Sequence, residues 1–128
     1  MRLRGRSAYN VQTGQGLIVA VDQIDAIDFA SIDKESGDLW LTISDHLSWD
    51  ENEEKHLVLL QHKLNAYLRF VESGEMFKKI PAAEGRGVVI NLVGKFPLSQ
   101  KGNTLLEKAR VAIEGAGLRL QFNLMSPN

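Results

Sequence analysis

An apolar stripe with the spacing of one helix face constrains this chain more than any other feature. Leu57, Leu60, Leu64, Tyr67, Leu68 and Val71 recur at intervals of three and four, the period at which side chains stack along an α-helix. They predict a helix of about six turns. Asp50 stands where an N-cap is wanted, with Glu53 three residues on as an acidic variant of the capping box. Glu51, Glu53 and Glu54 fall in the first turn, where the positive end of the helix dipole favours them. These acids therefore have a structural explanation before a functional one. Gly74 is placed to close the helix in the left-handed conformation. A helix with one apolar face needs a second layer, and the flanking sequence supplies it.

Residues 24–31 alternate loosely, with Ile27 and Phe29 on one side and Asp28 and Ala30 on the other. Residues 39–44 alternate cleanly, Leu39, Leu41 and Ile43 against Trp40, Thr42 and Ser44. Between them lies a polar cluster containing Gly37, so the two runs predict a β-hairpin with an aliphatic inner face and Trp40 turned outward. Beyond the long helix, residues 77–86 read as a polar connection, and residues 88–93 are apolar on both faces, as in a central strand. Ser99 or Asn103 caps a second helix with the stripe Leu105, Leu106, Ala109, Ala112 and Ile113, and Gly115 or Gly117 stops it. Residues 118–124 alternate into a last strand. The order β-β-α-β-α-β predicts the α/β (α+β) class: a two-layer sandwich of a mixed four-stranded sheet and two helices. Residues 1–20, polar and without period over most of their length, are expected to form a disordered N-terminal extension, and residues 21–126 a single α/β domain.

Charge and composition narrow the function. The chain of 128 residues suits one domain with a real core. It has no cysteine, hence no thiol nucleophile and no thiolate metal site, which fits a reducing cytoplasm. The apolar run at residues 17–21 is too short to span a membrane. A net charge of −1 hides a split: residues 22–54 carry many acids against Lys34 alone, whereas the balance turns basic from Lys55 onward. The two halves are expected to fold against each other and partly cancel.

Two sets of residues could carry chemistry. Asp45, His46, Asn65, Tyr67 and Arg69 could form an acid–base centre, with His46 as general base, Asp45 or Asn65 orienting it, and Tyr67 or Arg69 holding an anionic substrate. Adjacent residues of an extended chain point opposite ways, however, so Asp45 is as readily spent on amides of its own turn. Asn91 and Asn123 interrupt otherwise apolar strands, and their amides would pair if those strands are neighbours. His46, His56 and His62 are the only histidines, and no spacing among them suits a metal; no cofactor is expected. Gly85-Arg86-Gly87 precedes a strand rather than opening a helix, the reverse of a phosphate loop. The basic residues are scattered, and Lys101, Lys108 and Arg110 read as a solvated helix face, so nucleic acid is not expected.

The DHL-x-W turn (residues 45–49), the Leu-Gln-x-Lys-x-Asn-x-Tyr run in the long helix and the Ile-Asn pair in the central strand resemble a family of small bacterial proteins of unknown function. The resemblance covers roughly residues 21–124. It implies that residues 1–20 lie outside the shared domain, and it brings neither an activity nor catalytic residues. The expectation is therefore a small cytoplasmic binding or regulatory module. Its acidic hairpin-helix surface, with Trp40, Trp49, Asp38, Asp45 and Glu51, would engage a basic protein partner. The alternative is a small hydrolase-like or isomerase-like enzyme built on His46. A homodimer through the sheet face or the last strand's edge is a third reading.

Overall fold

The structure is a computed structural model and describes residues 29–125. Strands β1 (Phe29–Ile32) and β2 (Leu39–Asp45) form the hairpin, followed by helix α1 (Glu53–Glu72), a short helix α2 (Glu75–Lys79), strand β3 (Val88–Gly94), helix α3 (Gln100–Gly115) and strand β4 (Arg119–Leu124). The sheet order is β1-β2-β3-β4. β1 runs antiparallel to β2, and β2, β3 and β4 are parallel neighbours, so the sheet is mixed. The expected strand at residues 24–31 is described only from Phe29; its first part, like the N-terminal extension, lies outside the described residues.

The register explains the two layers. Ala30, Leu41, Ile90 and Leu120 lie in one row across the sheet, and Ile43 and Leu92 pair beside it. This face joins Leu60, Leu64, Tyr67 and Phe70 of α1, Met76 of α2, and Leu106 and Ile113 of α3 in one buried cluster. Trp40, Val89 and Arg119 form a row on the opposite face, where Trp40 is half-buried. Asn91 and Asn123 also lie on that face, and the Asn123 amide donates to Asn91 Oδ1 at 2.6 Å. β3 is apolar on both faces because it is an inner strand, with Val88 to Leu92 all buried.

Several local expectations need correction. The N-cap of α1 is Asn52, whose side chain accepts from the Lys55 amide at 3.3 Å; Asp50 lies before the helix. The stretch at 77–86 is more than a polar connection: it includes the end of α2 and a turn of 3₁₀ helix at Pro81–Ala83, and Met76, Ile80 and Ala83 reach the core. Ala112 is exposed rather than part of the buried stripe of α3. Arg110 does not belong to a purely solvated face, because its guanidinium donates to the Leu120 carbonyl and ties α3 to β4. Ser99 caps α3, accepting from the Gly102 amide at 3.0 Å. Gly74 closes α1 with φ near +86°, as its position requires.

Candidate functional site

β2 and β3 are parallel, and Asp45 pairs with Gly94, so their carboxyl ends meet at one edge of the sheet. In sheets of this kind, sites collect at the carboxyl ends of parallel strands. From Asp45 the chain turns through residues 46–52 into α1. The turn is held by its own side chains: the Leu47 amide donates to Asp45 Oδ1 at 3.1 Å, and the Asp50 amide to Ser48 Oγ at 3.1 Å.

The centre of this corner is His56, in the first turns of α1 and only 3% exposed. Its Nε2 lies 2.6 Å from Asp45 Oδ2. The Trp49 ring stacks on the imidazole with centroids 3.6 Å apart and planes inclined by 21°. Trp49 is itself buried, and the start of α3 supports it: a Cβ on Gly102 would lie 2.9 Å from Trp49 Cη2. Residue 102 is therefore a close-approach position that favours glycine. The imidazole therefore spends its Nε2 on the Asp45 carboxyl, which lies at the end of β2. Nδ1 is buried and has no hydrogen-bond partner.

Two clefts open against this group. One, of about 310 Å³, is lined by Ile43, Ser44, Asp45, His46, Leu47, His56, Leu59, Leu60 and Lys63. The other, of about 300 Å³, is shaped by Leu47, Glu51, Lys55, His56 and Leu59 among others. Leu47, His56 and Leu59 line both.

The residues singled out from sequence are distributed unevenly around this centre. Asp45 is at its heart, but it turns to His56 and to its own turn rather than to His46. His46 is exposed, with Nε2 3.1 Å from Ser44 Oγ. Tyr67 is fully buried, and its hydroxyl donates to the Thr42 carbonyl at 2.6 Å, a bond that fixes α1 to β2. Asn65 and Arg69 are exposed and line neither cleft. The acid–base set is thus divided between a structural bond, two surface positions and the corner. Trp49 and Glu51 belong to the corner. Trp40 lies on the other sheet face, and Asp38 precedes β2 at its far end, about 20 Å from Asp45 along an extended strand.

The acids of the hairpin and helix start have local duties. Asp33 accepts from the Ser36 amide at 2.8 Å, and that bond, followed by one from the Ser36 hydroxyl, holds its carboxyl below the usual aspartate range. Asp38 pairs with Arg119. Glu54 lies 2.9 Å from Lys101, and this bond holds the lysine's pKa above its ordinary value. The guanidinium of Arg86 braces the hairpin turn, donating to Gly37 O and to Ala82 O, each at 2.7 Å. Among the described residues no cluster of three or more His, Asp or Glu side chains could hold a metal ion. No helix among them is long and apolar enough to cross a membrane.

The corner overlaps the residues that carried the sequence resemblance at Asp45 to Trp49 and at Leu60 and Lys63 of α1, whereas His56 lies outside them. Residues 19–126 match the model of DUF6572, a family of unknown function. The chain belongs to this family. The DUF6572 match takes in all of the described elements and the whole of the corner. No curated protein and no solved structure matches the chain.

His56 is the site residue that sequence reasoning missed. The signal was present: His56 lies four residues before Leu60 and eight before Leu64, on the buried stripe of α1. A histidine at a core position needs a partner, and the nearest acid outside the helix start is Asp45, at the end of β2.

Proposed function

We propose that this DUF6572 member is a protein-binding module that works through its hairpin-to-helix corner. The observation that carries the proposal is a pair of leucines: Leu47 and Leu59 are 49% and 44% exposed and line both clefts. Single exposed leucines are ordinary, whereas apolar side chains gathered around a concavity mark interaction surfaces. The corner supplies an apolar centre with a charged rim, the usual anatomy of an interface. Glu51 lines the second cleft beside Lys55, and Asp50 and Glu53 flank it in the chain, so the favoured partner is a protein with a complementary basic border. Asp38 and Trp40, remote from the corner, are left out of the contact. The proposal keeps the cytoplasm as the compartment.

The test is capture from cell lysate with the full chain as bait, beside the double variant Leu47→Ser/Leu59→Ser and the rim variant Glu51→Gln. A specific partner should be recovered by the wild type, lost by the leucine variant, and held less firmly at low salt by Glu51→Gln. Equal recovery by wild type and leucine variant, both folded, removes the corner as the binding surface.

A further inference from the structure

We infer that β4 is the seam of a homodimer: two copies join their sheets edge to edge, with the β4 strands antiparallel about Phe122. The inference is independent of the corner, because β3 separates β4 from the end of β2. β4 stands at an edge of the sheet, paired with β3 on one side. Main-chain groups along a strand point alternately to its two sides. The Met125 amide donates to the Gly94 carbonyl at 2.7 Å, so Gln121 and Asn123, in the same phase, face β3. Leu120, Phe122 and Leu124 therefore turn their N–H and C=O groups outward. The bond from Arg110 to the Leu120 carbonyl agrees with this phase.

Sheet edges are usually blunted by charge, proline or a bulge. Residues 120–124, LQFNL, contain neither charge nor proline, and they pair with β3 in unbroken register. Arg119, the one charge of β4, is turned to Asp38. The run is also its own complement. Reversed about Phe122, Leu120 falls opposite Leu124, Gln121 opposite Asn123, and Phe122 opposite its copy. Apolar side chains then meet on one face of the sheet and amides on the other. The hydrogen bonds fit the same register, since the bonded pairs of an antiparallel ladder recur at every second residue and the outward groups are those of 120, 122 and 124. The contact is isologous, as a two-fold axis requires. It covers Leu124, 53% exposed in the single copy. It also brings together two Phe122 rings, each lying against Gly94, where a Cβ would come within 2.8 Å of the ring. The Leu120 carbonyl has a second lone pair for the partner's Leu124 amide beside its bond to Arg110.

The test follows the mass of the full chain by sedimentation and its amide exchange by NMR as concentration is raised. An interface this small predicts a reversible dimer with a dissociation constant on the order of 0.1 mM. The Phe122 and Leu124 amides should gain protection as the dimer forms, while Gln121 and Asn123 are protected at every concentration. Leu124→Lys sets a charge opposite the partner's Leu120 and leaves the ladder with β3 intact, so association should weaken by about tenfold or more. A monomer at about 1 mM, ten times the expected constant, with Phe122 and Leu124 exchanging freely, overturns the homodimer. A dimer that leaves the Phe122 amide unprotected, or that Leu124→Lys does not weaken, overturns β4 as its seam.

Discussion

At the scale of single residues, the corner depends on the bond between Asp45 and His56. It joins the last residue of β2 to the first turns of α1, and both groups are largely out of water. Asp45→Ala leaves two imidazole nitrogens buried without partners and also removes the carboxylate that accepts from the Leu47 amide. A loss of about 1–3 kcal/mol is expected, the cost of a buried polar group left unpaired. Urea unfolding measures it, and a change below about 0.3 kcal/mol would mean that the bond contributes nothing net. The residue scale is also where the sequence was least legible. The sequence singles out Asp45 but offers the adjacent His46 as its partner. The partner lies eleven residues away, because the turn between strand and helix brings position 56 back over the end of β2. Tyr67 and Asn65 were grouped with Asp45 by composition; helix phase separates them, sending Tyr67 into the core and Asn65 to the surface.

At the scale of elements, local chemistry sets the boundaries. Asn52, not Asp50, accepts from the first free amides of α1, so the two positions should respond differently to the same change. Asn52→Ala is expected to destabilise the protein by about 0.5–2 kcal/mol and Asp50→Ala by clearly less; equal losses in thermal or urea unfolding would place the cap elsewhere. The hairpin turn has its own signature. Asp33, held below the ordinary aspartate range by the Ser36 amide and hydroxyl, contributes stability that is present above its unfolded-state value of about 3.9. That contribution is lost as pH falls through the lower folded-state value. The stability difference between wild type and Asp33→Asn should therefore shrink as pH is lowered from 6 toward the acid range, roughly across and below pH 4; a difference that stays constant with pH would assign the turn's strength to Gly37 and the backbone. Elements were the most legible level. Period-two alternation located β2 and β4, a run apolar on both faces located β3, and the stripe of threes and fours located α1 and α3. The boundary at Asp50 was misplaced because Asp and Asn are both good caps and only the path of the turn decides between them. The short α2 was hidden because five residues give too little periodicity to register.

At the scale of the molecule, two ion pairs join the acidic first half of the sequence to the basic second half. Asp38 meets Arg119 and Glu54 meets Lys101, in each case an acid of the first half with a base of the second. Exposed pairs of this kind contribute little to stability, and they take Asp38 and Glu54 out of the acidic run. What remains distinctive is the corner where β2 ends and α1 begins, with Leu47 and Leu59 outside and the Asp45–His56–Trp49 group beneath. The order of elements and the mixed sheet were legible in the sequence. The corner was not, since it is made by three segments, at Asp45–Trp49, His56–Lys63 and Gly102, that only the fold brings together. The most direct measurement of the account is a backbone amide footprint of the captured partner on the ¹⁵N-labelled protein. Shifts and protection centred on residues 45–63, with the Trp40–Val89–Arg119 face unchanged, are the predicted result. A footprint centred on that opposite face, with residues 45–63 undisturbed, would contradict it.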